Sequence, residues 1–82
     1  MKGRVAKVNY RRGMVVFEDC LGDFGYFEVL GSDDFEEDDI IVGNLHSLGG
    51  ETILQERTKK KVSVFIEDYG MSYKIALEKV FK

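Results

Sequence analysis

The chain has no proline and no tryptophan, one cysteine and one histidine. Without proline, a low-complexity tract or an internal repeat, nothing in its 82 residues reads as a linker. Cys20 alone cannot close an internal disulfide, whereas small extracellular domains usually carry several, so a cytoplasmic location is expected. No apolar run approaches the ~20 residues of a membrane span and no signal-peptide core is visible, so no membrane partner is expected either. One Cys and one His fall short of the three or four ligands of a zinc site. Cys20 and His46 could act as nucleophile and base only if the fold joined them, and neither sits in a nucleophile motif. The glycine pairs Gly22/Gly25 and Gly49/Gly50 match no phosphate-binding pattern. The acidic stretch Ser32–Asp39 lacks the ligand spacing and central glycine of a calcium loop. These absences point to a non-enzyme that needs no cofactor or metal.

What remains is a globular composition, 44% hydrophobic and 33% charged, on a chain long enough for one modest core. The net charge of −3 works against nonspecific attraction to phosphate backbones, but the charges are segregated. Lys2, Arg4, Lys7, Arg11 and Arg12 precede Glu18 with no acid among them, and from Glu18 to Asp39 there are ten acids and no base. From Arg57 onward bases again prevail, Lys59-Lys60-Lys61 among them. If the two basic ends met on one side, an acidic protein would carry a basic patch.

Along the chain, Gly3–Asp19 has the pattern of a β-hairpin: an apolar-alternating run to Val8, a break at Asn9-Tyr10-Arg11-Arg12-Gly13, and a second run from Met14 to Phe17. Cys20–Asp23 reads as a turn in which Gly22 takes positive φ. A third strand, Phe24–Leu30, puts Phe24, Tyr26 and Glu28 on one face and Phe27 and Val29 on the other. Ser32–Asp39 reads as an acidic loop with room for one helical turn capped by Ser32. A fourth strand is expected over Ile40–His46, bent at Gly43, then a turn at Gly49-Gly50 and a fifth strand over Thr52–Gln55. Val62–Glu67 alternates as a sixth strand that ends at Asp68-Tyr69-Gly70. Over Ser72–Phe81 the spacing of Tyr73, Ala76, Leu77, Val80 and Phe81 favours a helix with Ser72 as N-cap; a strand with Tyr73, Ile75 and Leu77 on one face is the alternative.

The order G-x-V-x-x-V-N over Gly3–Asn9, a basic turn, then Gly13 and an apolar strand resembles the opening hairpin of cold-shock-type OB domains. The resemblance covers roughly residues 1–57. It implies an all-β domain, a small OB-like Greek-key barrel of five to six strands nearly complete at Arg57, with 58–82 adding a strand and the C-terminal helix. In that family, bases of single-stranded nucleic acid stack on aromatic rings of two strand motifs, at ~1–3 kcal/mol per base. Carried over, the resemblance puts Lys7 where a tryptophan is usual, Met14 and Val16 where phenylalanines are usual, and Tyr26 on an aromatic position, with Phe24 on the same face.

Two functions follow. One is a nucleic-acid-binding module for single-stranded RNA or DNA, using Lys7, Tyr10, Arg11, Arg12, Phe24 and Tyr26 as a reduced stacking platform with a cationic rim. The other is a protein-interaction or accessory domain that keeps the barrel and has repurposed this face. The basic hairpin favours the first; the missing rings and the acidic charge favour the second.

Overall fold

Alternation along the strands turns Val5, Val15, Phe17, Phe27, Ile41, Ile53, Val62, Val64 and Ile66 to one side, where each is at most 1% exposed. The computed structural model describes residues 1–82: β1 (Lys2–Asn9), β2 (Met14–Glu18), β3 (Phe24–Val29), β4 (Ile40–Val42), β5 (Gly49–Gln55), β6 (Lys60–Met71) and α1 (Tyr73–Phe81). Every pairing is antiparallel, and the sheet closes in the order β1-β2-β3-β6-β5-β4 with β4 back on β1. Closure leaves no free strand edge, so the inward side chains form one core. No helix is long and apolar enough to cross a membrane.

The expected all-β barrel with a C-terminal helix is therefore the architecture observed, and the first three strands lie where the sequence puts them. Gly13 turns the first hairpin at φ +65 and Gly22 the second at φ +85, conformations that side chains with a Cβ rarely adopt.

The chain beyond β3 departs from expectation in four places. The barrel is not nearly complete at Arg57: β6 stands between β3 and β5, with Phe65 opposite Glu28 on one side and Gly50 on the other. It is also longer than Val62–Glu67, and its length lets it serve both neighbours. The fourth strand ends at Val42, because the chain bends at Gly43 to carry Leu45 into the core, fully buried. A Cβ on Gly43 would lie 2.8 Å from Ile53 Cγ2, so this bend needs a residue without one. Gly49 and Gly50 are the first residues of β5, paired with Ile66 and Phe65, and not a turn.

Finally, the acidic loop forms no helix, because its one apolar residue is used otherwise. Phe35 is 1% exposed and packs edge-on against Phe27, with ring centroids 5.4 Å apart. Buried Asp39 fixes the loop by accepting from Arg57 Nε at 2.7 Å, Gln55 Nε2 at 3.0 Å and the Glu36 amide at 2.9 Å. Burial alone would push its carboxyl up, but these three donors hold it below the ordinary range.

The C-terminal segment is a helix, as its apolar spacing favours. Ser72 is extended and its hydroxyl accepts from the Ile75 amide at 3.2 Å, the N-cap geometry. Ala76 and Val80 are fully buried, although both point away from the barrel interior. What they bury against determines what the outer face of the first hairpin can do.

Candidate functional site

The outer face of β1, β2 and β3 is where the sequence places its candidate residues, and α1 lies across it. β1 bulges between Val5 and Lys7, which adds Ala6 to the residues facing outward. Ala6 and Val16 then meet Ala76 and Val80 in a second apolar cluster outside the barrel, bordered by Met14, Phe24, Tyr26, Met71 and Leu77. Val16 is 0% exposed and is the seat of the helix on this face.

The six candidates are divided among three surroundings. Phe24 and Tyr26 are half-buried beside the helix, and the Phe24 ring lies 5.1 Å from that of Tyr73 at 53°. Burial, with Asp68 and Glu67 nearby, pushes the Tyr26 hydroxyl above its ordinary pKa. Arg12 is bound to the far end of the same helix: its Nη1 donates to the carbonyls of Val80 and Lys82 at 3.1 Å each. Asn9 Nδ2 donates to Val80 as well, at 2.8 Å.

Lys7 and Tyr10 face the acidic loop. Lys7 Nζ is 3.5 Å from Glu37 Oε1, and the Tyr10 hydroxyl donates to the Phe35 carbonyl at 2.9 Å. Of the four polar candidates only Arg11 makes neither an ion pair nor a side-chain hydrogen bond, against the contacts of Lys7, Tyr10 and Arg12. The structure thus brings Phe24, Tyr26 and Arg12 to α1, draws Lys7 and Tyr10 to the loop, and leaves Arg11 in solvent.

The residues that organise this face and were not singled out from sequence are Ala6, Val16, Asn9 and the helix positions themselves. One signal was present: Met14-Val15-Val16-Phe17 is apolar without alternation, as a strand covered on both faces would be. The acidic loop, considered as a ligand-bearing segment, spends the carboxylates of Glu36, Glu37, Asp38 and Asp39 on arginine and lysine. Arg4 reaches Asp38 and Glu18 at 2.9 Å each, and those two acids raise its guanidinium pKa further, Glu18 most.

His46 has a partner that sequence reading did not propose. Its Nε2 is 2.7 Å from Asp19 Oδ2, and its ring stacks on Tyr69 with centroids 4.5 Å apart. The other Asp19 oxygen accepts from the amides of Leu21 and Asp23, at 2.9 and 3.0 Å, closing the β2–β3 turn. Burial opposes ionisation of Asp19, but His46 and the two amides outweigh it and hold the carboxyl below its usual range. Cys20, the next residue, is exposed. The local pattern Asp19-Cys20-Leu21-Gly22-Asp23 is that of an Asx turn, which is the signal that could have identified Asp19.

No protein-family model, curated protein or solved structure matches the chain. Its function is therefore argued from its own residues.

Proposed function

We propose that this protein is a non-catalytic protein-interaction or accessory module built on an OB-like barrel whose usual nucleic-acid face is occupied by its own C-terminal helix. One observation carries the reading. α1 covers Ala6 and Val16, flanks Phe24 and Tyr26, and takes the Arg12 guanidinium as the cap of its C-terminus. Bases that stacked on Phe24 and Tyr26 would have to displace a helix with two fully buried side chains and three hydrogen bonds from Asn9 and Arg12 at 2.8–3.1 Å. The arginine that would meet a phosphate is already engaged with carbonyls.

The test is a titration with short single-stranded RNA and DNA at low salt, followed by amide shifts, because electrostatic attraction is strongest there. The expected result is no saturable shift at Phe24, Tyr26 or the α1 amides. Saturable shifts at those positions would overturn the reading.

A second reading has a specific observation behind it. Arg11, Lys59, Lys60 and Lys61 are exposed and form no ion pairs, and they sit at one end of the barrel. The placement follows from the ladder, since Val29 donates to Gly13 in the first turn and Leu30 donates to Ser63 near the start of β6. Weak backbone binding there would shift these four residues and leave Tyr26 unmoved, with a salt slope of ~0.7 per phosphate contact. It ranks second because Asp33 and Asp34 line both the cleft beside Tyr10 and the one beside Lys60, so an incoming phosphate meets acids between the bases.

A further inference from the structure

The outer face of β6 and β5 is a surface that α1 does not claim, since the helix packs on β1, β2 and β3. Along β6, Val62, Val64 and Ile66 enter the core and Lys61, Ser63, Phe65 and Glu67 face solvent. Phe65 remains 40% exposed in the middle of a sheet because one of its cross-strand neighbours, Gly50, has no side chain. A Cβ on Gly50 would find nothing within 4 Å, so the space beside the ring is open. Two further leucines extend the apolar surface. Leu30, 55% exposed, sits beside Ser63, and Leu48, 62% exposed, immediately precedes the Gly49–Ile66 pair. Leu30 is thus a diagonal neighbour of Phe65, within reach of a large side chain. Scattered exposed apolar residues are ordinary, but a half-exposed ring in the middle of a sheet with an exposed leucine beside it makes a contiguous patch of the kind that marks an interaction surface.

We propose that this face docks a second copy of the same chain, with the two β6 strands stacked antiparallel about a twofold axis between Ser63 and Phe65. The charges of β6 are complementary to themselves in that arrangement. A twofold at this point sets Lys61 of one copy against Glu67 of the other, and does so twice. It sets each Phe65 over the small Ser63 and Thr52 and beside Leu30 of the other copy. The cross-strand pair that fixes the place of Thr52 is Thr52–Ser63. Face-to-face sheet packing at about 10 Å is the spacing such side chains fill. The assignment deepens the protein-interaction reading by naming a partner, and the two are separable: oligonucleotide binding would remove that reading without changing a sedimentation result.

Sedimentation velocity of the full chain over a concentration series tests it. The expected result is a reversible monomer–dimer equilibrium that Phe65→Ala weakens at least ~10-fold, as loss of a central aromatic anchor does. Lys61→Glu and Glu67→Lys should each weaken the dimer, and the double exchange Lys61→Glu/Glu67→Lys should restore it. Within one chain these two residues are about 20 Å apart along the strand, too far to compensate each other, so restoration arises only between copies. Circular dichroism of each variant confirms a folded barrel. A chain that stays monomeric at all concentrations, or a double exchange that fails to restore association, overturns the proposal.

Discussion

Arg12, in the turn of the first hairpin, donates from Nη1 to the carbonyl of Val80 at 3.1 Å, 68 positions along the chain. A cation at a helix C-terminus satisfies carbonyls that have no partner within the helix and opposes the negative end of its dipole. The most basic turn of the protein is therefore tied to its last element, and a feature that suggests phosphate binding in the sequence has a structural use.

Replacing Arg12 with Ala should cost about 0.5–1 kcal/mol of stability, the usual worth of a charged helix-terminal contact. The loss should be local, so hydrogen exchange of the α1 amides should rise while the core amides of β2 and β6 stay protected. Arg11→Ala, which removes no ion pair or side-chain hydrogen bond, should change neither. Equal effects of the two substitutions would show that Arg12 contributes only charge.

Ending the chain after Met71 should leave a barrel that binds a hydrophobic dye, because Val16 and Ala6 would be uncovered. Val80 and Val16 would each lose burial worth ~1.5–3 kcal/mol, partly offset by the entropy of a helix no longer ordered. Ending it after Arg57 should abolish folding, since β3 and β5 would lose the strand between them. A chain ending at Arg57 with a cooperative melt would refute the role assigned to β6.

The parts of the fold that were legible in sequence are those set by local chemistry. The hairpin of β1 and β2, the alternation of β3, and a helix announced by Ser72 and its apolar spacing all follow from neighbours within a few residues. What was not legible depends on distant partners. Whether Gly49-Gly50 turns or extends is decided by Ile66 and Phe65, and whether Gly43 continues a strand is decided by the approach of Ile53. The candidate face suffered most, because Phe24 and Tyr26 look the same in sequence whether bases or a helix cover them. The deciding contact, Val16 against α1, spans most of the chain.

Gly25 should be the least replaceable residue of β3. A Cβ there would lie 2.5 Å from the Asp68 carbonyl oxygen, 2.6 Å from Phe17 Cζ and 2.9 Å from Tyr69 Cα. Two of these are backbone atoms that cannot rotate away, so Gly25→Ala should cost ~1–3 kcal/mol or more by overpacking. Gly50→Ala, which meets open space, should stay within ~0.5 kcal/mol of the parent. Urea denaturation of both variants measures the contrast, and a Gly25→Ala protein as stable as the parent would mean that β6 shifts freely past β3.

Acid should weaken the fold through Asp39 and Asp19. Both carboxyls are held below the ordinary value of 3.8, so at mildly acidic pH the unfolded chain takes up protons that the folded chain does not. Stability from these groups is fully present above that value and is lost as pH falls through it toward their folded-state values. Arg57 keeps its charge throughout, because Asp39 raises a pKa that is already high. The loss therefore belongs to the carboxylates, and protonating Asp39 also deprives Gln55 and the Glu36 amide of an acceptor oxygen's charge. Asp39→Asn should lower stability at neutral pH and make its decline between about pH 5 and 2 shallower than in the parent. Denaturation midpoints at several pH values compare the two slopes. Parallel slopes would mean that Asp39 is not held ionised by the fold.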